Sequence, residues 1–210
     1  MNNKMCPVCN NFSPYLLTKY EIHYNQCCSC KTIFSARLDN SDMVGGGNEE
    51  GRNEIYNPIR LERIKKIFGD QKIKILDFGC GSGMFVDFMT NEGYYIEGYD
   101  LYNEKYELLP GNDRYDLVNL CEVIEHTSHP FFEVKAISRY LKKGGFLMTE
   151  TSFVDVMIED GLTPVDFFYI DPKVGHSTIF SHHGLDLLMA YNGLYPQPHI
   201  DRNVRIHKKA

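Results

Sequence analysis

The sequence predicts an α/β fold, a doubly wound and mostly parallel sheet, with a small metal-binding unit in front of it. Two features carry that expectation. The first is Ile75-Leu76-Asp77-Phe78-Gly79-Cys80-Gly81-Ser82-Gly83, a short apolar strand that ends in an acid and passes into three alternating glycines. A strand, a glycine turn and a following helix form the unit from which parallel sheets with ligand crevices are built. The second is the crowding of Cys6, Cys9, Cys27, Cys28 and Cys30 near the N-terminus of a chain with 7 cysteines in all.

Cys6-Pro7-Val8-Cys9 and Cys27-Cys28-Ser29-Cys30 are two CxxC pairs with residues 10–26 between them, a spacing that suits a four-cysteine zinc site. Each pair forms a knuckle aiming two thiolates at one point, and two knuckles complete a tetrahedron of Zn–S bonds of about 2.3 Å. Tyr15-Leu16-Leu17-Thr18-Lys19-Tyr20 and Glu21-Ile22-His23-Tyr24 read as short strands between the pairs. Residues 1–38 are therefore expected to form a zinc ribbon with Cys6, Cys9, Cys27 and Cys30 as ligands and Cys28 as a spectator. So small a unit lacks the core to fold alone, and the metal supplies the missing energy. Disulfides are not expected, because nothing marks secretion, and a redox CxxC would sit beside a βαβ unit.

Residues 39–53 are polar and glycine-rich and read as a flexible linker. Tyr56-Asn57-Pro58 is expected to open the first helix of a domain over residues 54–210. Ile59, Ile64, Ile67 and Phe68 form its apolar side, which leaves Arg60, Arg63, Lys65 and Lys66 on a solvated face.

The glycine turn lets the backbone approach a ligand that any Cβ would obstruct, and the helix from Met84-Phe85-Val86-Asp87-Phe88-Met89 points its N-terminus at that ligand. A dinucleotide fingerprint, GxGxxG, needs glycine where Met84 stands. Asp77 suits a cation such as an α-amino group and would repel a pyrophosphate. A second apolar run, Tyr94-Tyr95-Ile96-Glu97-Gly98-Tyr99, ends at Asp100, where an acid can accept hydrogen bonds from ribose hydroxyls. A cationic amino acid joined to a ribose describes S-adenosylmethionine.

On these residues the chain resembles the class I S-adenosylmethionine-dependent methyltransferases of the small-molecule group, whose first motif is Asp-x-Gly-x-Gly-x-Gly. The resemblance continues through Tyr115-Asp116-Leu117-Val118-Asn119-Leu120 as a fourth strand, with Glu122-Val123-Ile124-Glu125-His126 after it. Leu141-Lys142-Lys143-Gly144-Gly145-Phe146-Leu147-Met148-Thr149-Glu150-Thr151 matches a helix end, a Gly-Gly turn and a fifth strand. His176-Ser177-Thr178-Ile179-Phe180-Ser181, then Leu185, Leu188 and Asn192-Gly193-Leu194, matches a late helix and sixth strand. It implies an antiparallel last strand and cofactor contacts from Asp77, Phe78, Gly79, Cys80, Gly81, Gly83, Asp100, Leu101, Cys121 and Glu122. Cys80 and Cys121 read as small buried apolar groups lining that pocket. One departure stands out: only residues 101–115 separate Asp100 from Asp116, where the family fits a helix, a third strand and an acidic loop against the adenine. Residues 102–114 are expected to hold an abbreviated version.

The chemistry is placed in the loop after the fourth strand, which in an open α/β sheet faces the cofactor crevice. His126 is the general-base candidate, with an ordinary pKa of about 6.5, and Glu125 orients it or holds a substrate hydroxyl. The bland alternative has Glu122 and Glu125 bonding loop amides while His126 caps the next helix. Glu122-x-x-Glu125-His126 also resembles the metal motif of RNA 3′-terminal 2′-O-methyltransferases, with His176 as a fourth ligand. The acidic chain, with a net charge of −6, favours the metal-free reading and a small-molecule acceptor over nucleic acid. Residues 152–175 mix aromatics and acids and read as an acceptor lid, or as an insertion packed on the ribbon or on a partner subunit of a homodimer. Ribbon-fronted sugar methyltransferases carry a further C-terminal domain, whereas here Pro198-His199-Ile200 and Val204-Arg205-Ile206-His207 are expected to form only a short closing hairpin. A non-catalytic module that binds S-adenosylmethionine and docks a partner through the ribbon is the reading from another class. No apolar run approaches the roughly twenty residues of a membrane span, and no signal-peptide region opens the chain, which points to a cytoplasmic enzyme.

Overall fold

The structure is a computed structural model and describes residues 3–35, 49–127 and 129–210. In chain order the elements are β1 (Lys4–Met5), β2 (Phe12–Ser13), β3 (Tyr15–Lys19), β4 (Ile22–Gln26) and β5 (Ile33–Ser35), then α1 (Glu49–Phe68). They continue as β6 (Lys74–Phe78), α2 (Met84–Asn91), β7 (Tyr95–Tyr99), β8 (Tyr115–Cys121), a 3-10 turn at Ile124–His126, and α3 (Pro130–Ile137). The chain ends with β9 (Leu141–Glu150), α4 (Val154–Glu159), β10 (Thr178–Ile179), α5 (His182–Ala190), β11 (Leu194–Pro196) and β12 (Val204–Lys209).

The main sheet has six strands in the order β11-β12-β9-β8-β6-β7. Strands β7, β6, β8 and β9 run parallel, and β12 lies antiparallel to both β9 and β11. Its central strands are apolar on both sides, as a sheet covered on two faces requires. Ile75 and Leu117 pack with Leu61 and Ile64 of α1 and Phe85 and Met89 of α2. Leu76, Val118 and Leu120 pack with Val134 and Ile137 of α3 and Leu185 and Leu188 of α5.

Four details depart from expectation. Helix α1 begins at Glu49, so residues 49–53 are helical rather than linker; residues 39–48 of that linker lie outside the described residues. Pro58 sits inside α1, where a missing N–H costs about 3 kcal/mol, and the packing of Leu61 and Ile64 carries the helix through it. No helix end precedes the Gly-Gly turn, because β9 starts at Leu141 and its pairing with β8 jumps from Leu141 to Phe146, leaving Gly144 and Gly145 in a bulge. Finally, β12 pairs with β11 at Leu194–Pro196 rather than with Pro198–Ile200, and it is inserted between β11 and β9 instead of closing the edge.

The short connection after Asp100 contains neither helix nor strand, so β7 is the edge of the sheet. Its turns are clipped to the glycine loop: Asn103 Nδ2 donates to the Gly81 carbonyl at 2.7 Å, and the Asp100 amide to the Tyr106 carbonyl at 3.0 Å. The Tyr106 ring then fills the space beside Gly83 and Gly98; a Cβ at Gly98 would meet Tyr106 Cδ1 at 2.9 Å. Glycine at these two positions accommodates Tyr106 as well as any ligand.

Candidate functional site

Gly79, Gly81 and Gly83 all adopt left-handed φ angles of 79°, 56° and 85°, which is why the turn between β6 and α2 needs glycine. At Gly79 a Cβ would also collide with Val123 in the loop after β8. The carboxylate of Asp100 faces this turn, with Oδ2 accepting from the Gly81 amide and Oδ1 from the Tyr102 amide, each at 2.8 Å. Phe78 stacks near Tyr99 and Tyr140, so its backbone rather than its ring borders the turn. Leu101 is 68% exposed.

Asp77 is only 4% exposed and accepts from Asn119 Nδ2 at 2.7 Å across the β6–β8 pairing. Burial pushes its carboxyl up to about 6, against the Asn119 hydrogen bond and the nearby Arg60 charge, which favour the ionised form. The Oδ1 atom of Asn119 is buried without a hydrogen-bond partner among the described residues. A buried carboxylate beside an orphan acceptor suits a ligand bearing a cationic donor. These residues therefore fit the ammonium and ribose ends of S-adenosylmethionine.

Arg60 and Arg63 are not on a solvated face. Both are buried, whereas Ile59, expected inward, is exposed. Arg60 Nε meets Glu150 Oε2 at 3.0 Å, Arg63 Nη1 meets Glu150 Oε1 at 2.8 Å, and Arg63 Nη2 meets Asp201 at 2.7 Å. Arg60 also donates to Cys121 Sγ at 2.7 Å. Helix α1 is thereby pinned across the C-terminal ends of β8 and β9, next to Asp77. Burial pushes the thiol of Cys80 up to about 12 and that of Cys121 well above its ordinary range, which favours the neutral thiol at both half-buried positions.

After β8, Glu122 takes a left-handed φ of 55°, a strained value for a side chain of this kind, and the 3-10 turn presents Glu125 and His126. Glu125 is fully buried; Thr151 Oγ1 donates to it at 3.1 Å and the Tyr169 hydroxyl donates to its other oxygen. The same hydroxyl lies 3.0 Å from Glu122 Oε2. His126 Nε2 is 3.9 Å from Glu125, and the His126 and His176 rings are 4.9 Å apart. The Gly175 backbone engages His126, and His176 Nδ1 pairs with the Tyr169 carbonyl at 2.8 Å. Burial holds His126 below its usual pKa, and lowers His176 to about 4. Burial thus disfavours the charged form of His126, whose Nε2 faces Glu125. It does not cap α3, whose N-cap is His129.

Residues 152–175 supply α4 and then Tyr169, whose ring packs with Phe167, Ile170 and Met157 against Leu17, Tyr24 and Ile33 of the ribbon. The segment thus packs on the ribbon while its Tyr169 reaches Glu122 and Glu125. Tyr169 falls within the segment expected to form the acceptor lid, but its contact with Glu122 and Glu125 depends on a chain reversal that no local pattern records. Asn119 is legible only as a polar residue inside an apolar strand.

In the N-terminal unit the Sγ atoms of Cys6, Cys9, Cys27 and Cys30 all lie within 4.8 Å of one another. The pairs Cys6–Cys30 and Cys9–Cys27 are 3.6 and 3.4 Å apart, near the separation that bonds of about 2.3 Å to one tetrahedral zinc would give. The amides of Val8 and Cys30 each point at a sulfur, at 3.4 Å. Hydrogen bonding from Cys6 favours the thiolate form of Cys30. This donor set fits zinc, and Cys28 is exposed and apart from it.

A family model described as a methyltransferase domain matches residues 52–198. The chain is 29% identical over 119 residues to the ubiquinone biosynthesis O-methyltransferase of Bordetella avium, covering 45% of this chain and 49% of that protein. It is 31% identical over 120 residues to the protein of the same name from Leptothrix cholodnii, covering 45% and 51%. The chain spans about half the length of the curated relatives it matches. Among solved structures it is similar to an S-adenosylmethionine-dependent methyltransferase from Aquifex aeolicus, with TM-score 0.53 and 13% identity over 79% of this chain and all of that one. It is also similar to the 1,6-didemethyltoxoflavin-N1-methyltransferase of Burkholderia thailandensis, with TM-score 0.50 and 11% identity over 93% and 99% of the two chains. At such identities the structures show the fold alone.

Proposed function

From a chain that belongs to the methyltransferase-domain family, we propose a small-molecule methyltransferase in which Asp77 and Asp100 hold S-adenosylmethionine and His126 takes the acceptor's proton. The observation that carries the reading is the buried Asp77 carboxylate at the mouth of three left-handed glycines. Bound S-adenosylmethionine supplies a methyl group already made electrophilic by its sulfonium. The protein's part is then to align a nucleophile and accept its proton. Asp77 receives the ammonium, and the free lone pairs of Asp100 receive the ribose hydroxyls. The neutral His126 nitrogen, beside Glu125, accepts the acceptor's proton, and Glu125 steadies the imidazolium that forms. The curated relatives are named as O-methyltransferases, which favours a hydroxyl acceptor. Structural zinc on the four N-terminal thiolates, and a reducing cytoplasmic setting that keeps them free, belong to the same proposal.

The test is methyl incorporation from labelled S-adenosylmethionine into a metabolite extract, with calorimetry of S-adenosylhomocysteine beside it. No binding of either cofactor form would end the enzyme reading. With an acceptor in hand, His126→Ala should leave cofactor affinity within about twofold and lower kcat by roughly 10²–10⁴, the usual worth of a general base. Because burial lowers the His126 pKa, its active neutral form persists as pH falls through 6.5, and wild-type kcat should decline only below that point. Full activity in His126→Ala, or an unchanged acid limb, would remove His126 from the base role.

A second reading has its own observation. Ligand atoms of Glu125, His126 and His176 lie within 4.8 Å of one another, and His176 gives its Nδ1 to a backbone carbonyl, as metal-bound histidines do. Glu122 and Glu125 also converge on the single proton of Tyr169. A divalent ion there would bind the acceptor's oxygen in place of proton removal by His126. Chelation that strips this site while the ribbon metal is retained separates the two: abolished turnover selects the ion, unchanged turnover the base.

A further inference from the structure

Strand β10, which lies far along the chain, belongs to the ribbon's sheet and not to the main one: the order is β10-β5-β4-β3, with Thr178 opposite Phe34 and Ile179 opposite Ile33. The Ser35 amide extends the pairing to the Ser177 carbonyl at 2.8 Å. From the other side, the Ser177 amide and hydroxyl both donate to the Glu125 carbonyl, at 3.0 and 3.1 Å. The fully buried Tyr24 donates its hydroxyl to the His176 carbonyl at 3.1 Å, and Lys19 donates to the Phe167 carbonyl at 3.2 Å. One cysteine joins directly: the Ser181 hydroxyl, at the N-cap of α5, donates to the Cys30 carbonyl, and a Cβ on Gly184 would collide with Thr32. Apart from the two at the start of α5, these contacts land on the segment that carries Tyr169 and His176, or on the turn that carries Glu125. By contrast, the glycine turn, Asp77 and Asp100 make their contacts with β7, β8 and residues 101–106.

The geometry points to the ribbon as the fixed wall of the acceptor site: the metal-clamped cysteines hold β5, β5 holds β10, and β10 sets His176 and Ser177 against Glu125. One apolar face of the ribbon is buried in this contact, with Leu17, Tyr24 and Ile33 packed on Met157, Phe167, Tyr169 and Ile179. The ribbon is thereby an internal part of the acceptor site. Loss of the metal should therefore disable the acceptor side and spare the cofactor side.

The inference rests on the zinc assignment, and metal analysis of the purified full chain tests that assignment by itself: about one zinc per chain supports it, and no metal overturns it. With the metal present, it is withdrawn by chelation and amide hydrogen exchange is compared with the holo-protein. Exchange at Ser35, Ser177 and Ile179 should quicken at least tenfold while β6 and β8 stay protected, and the affinity for S-adenosylhomocysteine should change less than threefold. Tyr24→Phe, which keeps the ring and all four cysteines, should reproduce a smaller loss of protection at residues 176–179 with zinc content unchanged. Unaltered exchange at residues 176–179 after zinc removal would overturn the coupling. So would a parallel loss of cofactor binding and of β6 protection, since the metal would then support the whole fold and not one wall of the site.

Discussion

Asp77→Asn is expected to weaken S-adenosylmethionine binding by roughly tenfold to a hundredfold while raising the melting temperature of the ligand-free protein. The two effects have one cause. Ionised Asp77 is buried, and its pKa near 6 against an ordinary 3.8 corresponds to a penalty of about 3 kcal/mol on the charged form at neutral pH. The folded state thus holds this proton up to about pH 6, whereas the unfolded chain releases it near 3.8. Stability from this group is therefore lost as pH rises between those values, and the loss is complete above pH 6. An asparagine removes the penalty and can still accept from Asn119. What it cannot do is give the ligand's ammonium a charged acceptor, and hydrogen bonds to charged groups are worth about 1.5–3 kcal/mol. Wild-type affinity should accordingly fall as pH drops below 6, and Asp77→Asn should show no such decline. Calorimetry across pH 5–8 with thermal melts of both proteins reads all of this. Equal affinity in the two proteins would mean that Asp77 does not meet the cation.

Local patterns made part of this molecule legible. The passage from Ile75 to Gly83 encodes strand, acid and left-handed turn in consecutive residues, and the structure places each where neighbour-to-neighbour chemistry puts it. The CxxC pairs are legible for the same reason, since a knuckle is a property of four residues. Arg60 and Arg63 are the opposite case. Their spacing fits the polar stripe of an amphipathic helix, and only the arrival of Glu150 from the end of β9 turns that stripe inward. The antiparallel β12 could be expected from the family resemblance, but its insertion beside β9 depends on pairing across the sheet that no periodicity records. The same holds for β10, two residues whose partner is β5, and for Tyr169, whose hydroxyl reaches back to Glu125. The proposed acceptor site leans on such long-range returns. The acid and glycine turn at the heart of the proposed cofactor site lie in one continuous stretch, and Asp100 and Asn119 join it from neighbouring strands.

The largest loss of stability is expected from Glu150→Gln. Glu150 is the common partner of Arg60 and Arg63, and all three side chains are buried. Burial alone would raise its pKa, yet the two guanidinium groups override that and hold it below the ordinary value. Removing one member of a buried ion cluster leaves charge without compensation, at a cost of about 3–5 kcal/mol. In a chain of this length that corresponds to a fall in melting temperature of roughly 6–20 °C. Arg63 retains Asp201, so the ion pair lost outright is that of Arg60 with Glu150. Arg60→Met combined with Glu150→Leu should therefore recover much of the loss, because apolar groups of similar volume can replace a buried pair. The acid limb gives an independent sign. A depressed carboxylate pKa contributes stability that is present above about 4.5 and lost as pH falls through the lower folded value, so the wild-type protein should lose this part of its stability in acid and Glu150→Gln should not. Since Arg60 also ties α1 to Cys121 at the end of β8, cofactor affinity should weaken together with stability in Glu150→Gln. Stability within 1 kcal/mol of wild type in that variant would show that the two arginines find their compensation elsewhere.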